Sequence, residues 1–558
     1  EIYVMDLGGD VRANPKLSGT KHNVFGIQTG VAISFMVKRH KQKGCKIFYA
    51  RRPEFDTAED KLAFLGGNRA PDVAWQRVEP DRNANWINLT ENDWDELIPV
   101  ADKKTKAAKG KGQEKAIFRL YSLGVVTNRD EWVYGACATD VERKVEYLLD
   151  KYSEDLERFS RGEADPNDPE TLQKSIKWTR LLKGSLLRRL TIPFSTEQVV
   201  KSFYRPFVRR MLYFDRCINE MQYQVPQMFG DGRGENSGFA FVVEPRAEFS
   251  LMAFEGIPNK DAFMPSAAQV VSRYRYAKSG ERVDNITDWA LKEFQKAYGK
   301  DGRGTPATAG EGDASTSPLR GGRAEGAGIG ADAAEGTPTP NPSPQEGGKP
   351  GQSPATPPGG FAATLPSRGR DSRALGKDDI FHYVYAVLHD PAYREKYALN
   401  LKREFPRIPF YPDFWKWAAW GETLMALHIG YETVEPWPLT RTDTPDDKAR
   451  AAGVAPKALL KADRGDGPNG GIIRLDTETT LSGIPAAAWD YRLGNRSGLD
   501  WILDQYKEKT PKDPTIREKF NTYRFADYKE KVADLIARVA RVSVETVAII
   551  EAMKEARR

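Results

Sequence analysis

The chain has 558 residues, 40% hydrophobic and 29% charged, which is long enough for about two to four folded units with ordinary cores. A formal net charge of +6 is compatible with a polyanionic partner but does not identify one. The three cysteines are far apart and the five histidines form no ligand pair, so the sequence offers neither a disulfide framework nor a metal site. No apolar run is long enough to span a bilayer, and we expect a cytoplasmic protein.

The first fifty residues have the pattern of an α/β core. Residues 2–7 (IYVMDL) and 31–37 (VAISFMV) are short apolar runs, which indicate strands buried on both faces. Residues 46–49 (KIFY) are a candidate third strand. Because the chain begins at Glu1 inside a strand and not at a methionine, we expect an amino-terminal truncation.

The region up to residue 300 mixes helical and strand patterns. Apolar residues recur at helical spacing over 142–159 and again over 172–190, and residues 239–243 predict a strand. The polar face of the second predicted helix is basic and would follow a nucleic-acid groove or simply face water. Its cations are Arg180, Lys183, Arg188 and Arg189.

Residues 301–376 differ abruptly in composition from the rest of the chain. Gly, Pro, Ala, Ser and Thr dominate, and apolar residues almost vanish. Such a segment buries too little surface to offset its chain entropy, so we predict disorder. Helical patterning resumes directly afterwards, which favours a tolerated insertion over a functional tether.

The last part of the chain is predicted to be mainly helical. Asp390 followed by Pro391 is the pattern of an N-cap and first helical position, opening a helix to about residue 405. From residue 528 onward the apolar spacing predicts two helices, with Ser543 as the cap between them.

Two motifs near the amino terminus invite a functional interpretation. Residues 4–9 (VMDLGG) resemble the strand-loop that cradles S-adenosylmethionine, but the next glycine is absent, and an ordinary strand end is the preferred interpretation. Residues 23–33 (NVFGIQTGVAI) place one aromatic, Phe25, in a loop before a strand. From the residues alone, a core phenylalanine is favoured for Phe25.

A third motif, residues 203–216 (FYRPFVRRMLYFDR), interleaves aromatic residues with arginines. Arginines hold phosphates or read guanine edges, and aromatics stack on exposed bases. The alternative is a half-buried strand pair with its arginines facing water, and the pattern alone does not choose between the two. The arginines are Arg205, Arg209, Arg210 and Arg216.

Several catalytic motifs are missing from the chain. No Asn/Asp/Ser-Pro-Pro-aromatic tetrapeptide occurs, although amino-group DNA methyltransferases need one to hold the extruded base. We also find no Walker loop, no Ser-His-Asp order and no nuclease carboxylate cluster. The residues that would perform chemistry are therefore not in this chain.

Five stretches together resemble the C-terminal portion of Type ISP restriction–modification enzymes. These single-chain proteins join a nuclease, a helicase-like ATPase, an adenine-N6 methyltransferase and a target recognition domain. The order and joint presence of the stretches make the resemblance specific. They are NVFGIQTGVAI at 23–33, TNRDEWVY at 127–134, YRPFVRRMLYFDR at 204–216, FHYVYAVLHDPAYREKY at 381–397 and YRLGNRSGLDWILDQY at 491–506.

The resemblance implies the fold class. Residues 1–52 would be the C-terminal strands of the methyltransferase domain, an α/β remnant of a Rossmann-like fold. Residues 53–300 and 377–558 would be the first part and the C-terminal helical part of a mixed α+β, largely helical target recognition domain. The insert at 301–376 has no expected counterpart in the family.

The resemblance also implies a function, sequence-specific recognition of double-stranded DNA that presents one adenine to the methyltransferase. Phe25, with Asn23, matches the motif whose aromatic helps to hold the flipped adenine. S-adenosylmethionine would be bound by the intact enzyme, and ATP and Mg²⁺ by its nuclease and ATPase domains. The cofactor loop and the tetrapeptide would lie upstream of Glu1, so the isolated chain is predicted to be inactive.

Two other classes of function remain open from the sequence. One is a standalone DNA-binding specificity module without catalytic activity. The other is a helical scaffold that binds protein, which would show no salt-dependent affinity for DNA, whereas both DNA-binding hypotheses predict a steep loss of affinity with added salt.

Overall fold

The computed structural model describes residues 1–304, 306 and 374–558, apart from residues 12–16, 18, 42, 81–83, 87–91, 109–110 and 246. The predicted disordered insert therefore lies almost entirely outside the described residues.

The amino-terminal segment forms a four-stranded sheet in the order β2-β1-β3-β4. Strand β1 pairs antiparallel with β2 and parallel with β3, and β4 pairs antiparallel with β3. All three strands expected here are present, and β4 extends the sheet past residue 52. The elements are β1 (Ile2–Gly8), β2 (Val31–Met36), β3 (Ile47–Arg51), helix α1 (Ala58–Gly67) and β4 (Gln76–Val78).

The burial predicted for β2 is wrong. Strand β2 lies at the edge of the described sheet, and both of its faces are open. Phe35 is 50% exposed and Met36 is 78% exposed, although they point to opposite faces. A strand of this composition is normally covered on both sides, so the described residues lack its cover.

The region from Ile98 to Tyr298 builds two further four-stranded sheets, in the orders β11-β10-β13-β6 and β12-β8-β9-β7, and a hairpin of β14 and β15. The strands are β5 (Ile98–Pro99), β6 (Ser122–Leu123), β7 (Tyr134–Gly135), β8 (Val199–Arg205), β9 (Val208–Tyr213), β10 (Ser237–Val242), β11 (Leu251–Glu255), β12 (Ile257–Pro258), β13 (Ala268–Ser272), β14 (Tyr274–Tyr276) and β15 (Arg282–Asp284). The helices are α2 (Lys103–Ala107), α3 (Asp130–Val133), α4 (Ala138–Ser160), α5 (Arg180–Leu187), α6 (Val225–Phe229) and α7 (Asp288–Tyr298).

The long helix predicted over 142–159 is confirmed within α4, whose buried face includes Val145, Leu148 and Tyr152. The helix predicted over 172–190 is wrong in its first half, because only α5 is helical. The Thr179 side chain accepts a hydrogen bond from the Leu182 N–H and starts the helix there. Upstream, the Trp178 indole N–H donates to the Gln173 carbonyl, which holds this stretch in a turn.

The carboxyl-terminal region is helical but also contains a four-stranded sheet in the order β17-β20-β19-β18. Its helices are α8 (Lys377–Val387), α9 (Pro391–Lys396), α10 (Ala398–Leu401), α11 (Phe414–Ile429), α12 (Asp447–Ala451), α13 (Ala487–Asp490), α14 (Gly498–Gln505) and α15 (Lys529–Lys554). Its strands are β16 (Arg407–Ile408), β17 (Thr440–Asp443), β18 (Ala458–Asp463), β19 (Gly471–Asp476), β20 (Thr479–Ile484), β21 (Arg492–Leu493) and β22 (Arg496–Ser497). Short 3₁₀ turns lie at Ala70–Asp72, Trp94–Glu96, Lys111–Gln113, Thr196–Gln198 and Phe525–Tyr528, with a π-helical turn at Ile516–Phe520.

Two cap predictions had different outcomes. Asp390 is an N-cap, since its carboxylate accepts from the N–H groups of Ala392 and Tyr393, but the helix breaks at Tyr397 into α9 and α10. Ser543 is not a cap, because α15 is one continuous helix and Ser543 is buried within it. The apolar face continues through Ser543 without a Gly or Pro to interrupt it, so nothing in the backbone requires a break.

One hydrophobic core joins the two sides of the insert. The buried cluster runs from Trp94 to Ala556, and none of its members belongs to the described part of the amino-terminal sheet. Strand β16 pairs with β5, and the Ala253 N–H donates to the Tyr385 hydroxyl at 2.7 Å. The regions before and after the insert therefore fold as one body.

A buried histidine pair lies where α8, α11 and α15 meet. His428 Nδ1 is 2.6 Å from the Tyr385 hydroxyl, and His428 Nε2 is 2.9 Å from Thr546 Oγ1. His389 Nδ1 is 2.9 Å from the Tyr385 carbonyl. Burial lowers the pKa of His428 to about 3 and holds the pKa of His389 well below its ordinary value.

These histidines predict a loss of stability in acid. Above pH about 6.5 both histidines are neutral in the folded and in the unfolded state. Below that pH the two imidazoles take up protons in the unfolded chain but stay neutral in the folded one. The free energy of unfolding should fall by about 1.4 kcal/mol per pH unit for His428 until the pH approaches its folded pKa. Urea unfolding between neutral pH and pH about 4.5, with His428→Gln as the comparison, measures this slope. An equal slope in the variant would contradict the prediction.

Candidate nucleic-acid interface

The loop before β2 presents Phe25 to solvent. Phe25 is 72% exposed, so the expectation of a core phenylalanine, drawn from the residues alone, is wrong. Asn23 is buried, and its carbonyl oxygen accepts from the Phe25 N–H at 3.0 Å while its amide donates to the Thr29 carbonyl at 2.7 Å. Asn23 therefore holds the loop through buried hydrogen bonds, and its expected place in a target-base pocket stays a prediction.

The loop after β1 does not form a cradle for S-adenosylmethionine. The Asp6 carboxylate accepts from the Gly8 N–H at 2.8 Å and from the Tyr49 hydroxyl at 2.7 Å. A Cβ at Gly9 would lie 2.5 Å from the His22 carbonyl oxygen, so the loop packs against its own chain and leaves no opening there. The described residues of this loop therefore do not fit the cofactor.

The strand pair β8 and β9 carries three of the four interleaved arginines, and all three bind protein groups. Arg205 is 4% exposed, and its guanidinium donates to the Tyr204 carbonyl at 2.6 Å and to Asn259 Oδ1 at 3.2 Å. It also lies 3.9 Å over the Tyr204 ring. Arg205 is therefore a buried residue, and this burial contradicts the prediction that it contacts DNA.

Arg209 and Arg210 connect the strand pair to the carboxyl-terminal helices. Arg209 forms an ion pair with Glu432 at 2.6 Å and donates to the Ile429 carbonyl at 2.6 Å. Arg210 donates to the Gln505 carbonyl at 3.1 Å. Both guanidinium groups are half-buried and bind acceptors of the carboxyl-terminal region, and their expected role at the DNA stays a prediction.

Replacement of Arg209 by Ala should reduce stability without changing DNA binding. The variant loses an ion pair and leaves Glu432 and the end of α11 unpaired, at a cost of about 1–3 kcal/mol in the free energy of unfolding. Urea unfolding and the salt dependence of DNA affinity measure the two effects separately. An unchanged unfolding midpoint with a shallower salt dependence would instead support the predicted DNA role of Arg209.

The other predicted cations lie on a basic surface, defined here as the α5 surface. Arg180 is 83% exposed and pairs with Glu220 at 3.1 Å. Arg216 is exposed in the turn that begins at Asp215 and leads to Glu220, so the Glu220–Arg180 ion pair joins this turn to α5. The cations of this surface therefore come from two sequence motifs, residues 172–190 and residues 203–216. The set is Arg180, Lys183, Arg188, Arg189 and Arg216.

The α5 surface is suited to an anion. Lys183 is half-buried and the remaining members are exposed. The Glu220 carboxylate pairs with Arg180 and also accepts a hydrogen bond from the Leu181 N–H at 3.1 Å. Exposed cations without matching carboxylates gain affinity for a polyanion by releasing its counterions.

A second cationic feature was missed by the sequence analysis. Lys461 on β18 lies directly opposite Arg474 on β19, and the row continues through Thr480 on β20 to Thr442 on β17. Like charges placed directly opposite repel one another, and neither cation has an ion pair within the described part of the chain. The signal available in the sequence was the alternation of these cations with apolar residues, as in Ile473-Arg474-Leu475.

The TNRDEWVY stretch ties two distant parts of the chain together. Glu131 accepts from the backbone N–H groups of Lys512 and Asp513, each at 2.9 Å, and the Trp132 indole donates to Asp513 at 2.8 Å. A cleft of about 500 Å³ beside it is lined by exposed Asn128 and Lys177. The motif therefore has a structural role at the edge of that cleft.

Two further properties bear on the class of site. Among the described residues, no three His, Cys, Asp or Glu side chains come together in a way that would hold a metal ion. No helix in the described ranges is both long and apolar enough to cross a membrane.

Solved structures provide the comparison for this geometry. The chain is 42% identical to DrdV, solved as a DrdV–DNA complex by cryo-electron microscopy, with a TM-score of 0.75 over 99% of this chain and 47% of that one. A nuclease-deletion mutant of the Type ISP restriction–modification enzyme LlaGI, with a DNA substrate mimic, is 24% identical, with a TM-score of 0.68 over 100% of this chain and 44% of that one. The ATP-dependent Type ISP enzyme LlaBIII, bound to DNA, is 20% identical, with a TM-score of 0.70 over 100% of this chain and 31% of that one.

The chain thus spans less than half the length of each of these relatives. A search of curated proteins found no match. A family model, the Type ISP C-terminal specificity domain, matches residues 116–535, which is well over half of the chain and contains both cationic features. The chain therefore belongs to the Type ISP C-terminal specificity domain family.

Proposed function

We propose that this chain is the part of a restriction–modification enzyme that recognises a specific sequence in double-stranded DNA. The α5 surface is the observation that carries the proposal, since within the described residues only Arg180 of its five cations has a carboxylate partner. The Lys461–Arg474 row adds a further place for phosphate contacts. DrdV, the relative with 42% identity, was solved with DNA, which supports the same partner here.

A fluorescence anisotropy titration of the 558-residue chain against labelled duplex DNA tests this proposal. We expect affinity to fall steeply with salt. A plot of the logarithm of the association constant against the logarithm of the salt concentration should have a slope of about −0.9 for each phosphate contact. We also expect a duplex selected from a random pool to bind more tightly than unselected duplex at the same salt. An affinity independent of salt would favour the helical protein-binding scaffold and contradict the proposal.

We infer that the intact enzyme is an adenine-N6 methyltransferase that uses S-adenosylmethionine, and that residues 1–52 complete its Rossmann-like sheet. The open faces of β2 support this inference, because Phe35 and Met36 require cover that the described residues do not supply. A standalone specificity module would leave this apolar surface in water. Phe25, exposed beside β2, would contact the flipped adenine, with Asn23 positioning its loop.

The cofactors of the intact enzyme belong to its other domains in this proposal. The Gly8–Gly9 loop does not fit S-adenosylmethionine, and ATP and Mg²⁺ would act only through the ATPase and nuclease domains. We therefore expect no transfer of radiolabelled methyl groups to DNA by the 558-residue chain alone. Turnover in that assay would contradict the proposal that methyl transfer depends on other domains of the enzyme. Salt-dependent DNA binding without turnover agrees with it.

A further inference from the structure

The segment Glu220 to Gln224 is a surface loop held firmly at both ends. Met221 and Val126 exchange backbone hydrogen bonds of 2.8 and 3.0 Å. The Gln224 N–H donates to Ser122 Oγ at 3.0 Å, and Val225 just beyond it is fully buried. The residues between these anchors therefore have a defined position on the surface.

Tyr223 is the residue that this loop presents, in an unfavourable backbone conformation. Its φ is +48°, in the left-handed region that a residue with a bulky side chain adopts at a cost in stability. Its ring is 41% exposed. Within the described part of the chain, Tyr223 makes no side-chain hydrogen bond or aromatic ring contact that would offset that cost.

Phe207 provides the internal comparison. It also has a left-handed φ, +58°, but it is fully buried, with its ring centroid 5.4 Å from that of Tyr431. There the burial of an aromatic ring offsets the backbone strain. Tyr223 has the strain without the burial, and strained residues retained in this way are concentrated at functional sites.

The surroundings of Tyr223 indicate its partner. Met221 is also exposed, and the adjacent Glu220 pairs with Arg180, which joins this loop to the α5 surface. The loop thus carries an exposed aromatic ring with a free hydroxyl and an exposed thioether, and Glu220 joins it to the exposed Arg180 guanidinium. Aromatic and hydroxyl groups contact base edges, while guanidinium groups hold the phosphates on either side of a groove.

We propose that Tyr223 enters a groove of the bound duplex and discriminates between base sequences, beside the phosphates bound by the α5 surface. This inference rests on the proposed function of the chain. The α5 cations would supply affinity for any duplex, and Tyr223 would supply preference for one.

The test uses the 558-residue chain and a duplex that the wild type selects from a random pool. For Tyr223→Gly, we expect affinity for the selected duplex to fall at least about tenfold, as for a lost base contact, and affinity for unselected duplex to be unchanged. The slope of affinity with salt should also be unchanged. The urea midpoint should rise or remain equal, because glycine tolerates the left-handed φ. Tyr223→Phe should lose only the part of the preference that depends on the hydroxyl.

Ala84→Gly is the matched control, since Ala84 is exposed with a φ of +60°. This variant should bind the selected and the unselected duplex with the affinities of the wild type. A Tyr223→Gly chain that keeps the wild-type ratio of selected to unselected affinity would overturn the inference and leave DNA binding intact. A lower urea midpoint would also overturn it, because the ring would then have a packing role. A wild type that shows no salt-dependent binding would overturn the proposed function itself, and the inference with it.

Discussion

Replacing Gly421 by Ala is expected to destabilise the protein by at least about 3 kcal/mol. Gly421 lies in α11 against α8, where a Cβ would fall inside the contact distance of the His382 backbone carbonyl. The obstacle is backbone and not a flexible side chain, so relief requires the two helices to move apart. This cost exceeds the gain of about 1 kcal/mol that Ala normally brings to a helix interior.

Gly184→Ala is the matched control for this effect. Gly184 lies in α5, and a Cβ there would meet nothing within 4 Å. We expect that variant to be stabilised by about 0.5–1 kcal/mol through helix propensity alone. Urea unfolding of both variants measures the difference. Equal midpoints for Gly421→Ala and the wild type would show that the α8–α11 contact is looser than this structure indicates.

Removing four cations from the α5 surface should produce the largest loss of DNA affinity. In the variant, Lys183, Arg188, Arg189 and Arg216 are replaced by Gln, while Arg180 is kept because it pairs with the buried carboxylate of Glu220. We expect affinity near 0.15 M salt to fall at least about tenfold, with a salt slope shallower by about one for each lost phosphate contact. The urea midpoint should change little, because the replaced side chains are largely exposed.

A second variant with the same change in net charge separates contact from bulk charge. It replaces four exposed cations of the carboxyl-terminal region with Gln, and we expect only a small change in DNA affinity. The positions are Lys507, Lys531, Lys554 and Arg557. Equal losses in the two variants would show that net charge, and not the α5 surface, determines binding.

Local patterns in the sequence predicted the elements that depend on local physics. Helix α4 follows from the 3.6-residue spacing of its buried face, and the cap at Asp390 follows from side-chain geometry within three residues. The strands β1, β2 and β3 follow from their apolar, β-branched composition. The break at Thr179 and the continuity of α15 through Ser543 were not predicted, because Thr and Ser are favoured at N-caps but also occur inside helices.

Burial and pairing were decided by contacts between residues distant in the chain. Phe25 was expected in the core from the residues alone and is exposed, while Arg205 was expected at the DNA and is buried. Tyr223 carried no signal in the sequence, because its left-handed φ arises from anchors at Val126 and Ser122.

The sequence by itself determined the family, through the order of its motifs, and the types of side chain that can contact DNA. Only the tertiary structure decided which arginines are exposed and which bind other protein groups. Arg209 and Arg210 are satisfied by Glu432 and Gln505, more than two hundred residues away along the chain. The physical reason is that a guanidinium binds the nearest acceptor in space, and the chain path that brings that acceptor close is not encoded in the residues beside it.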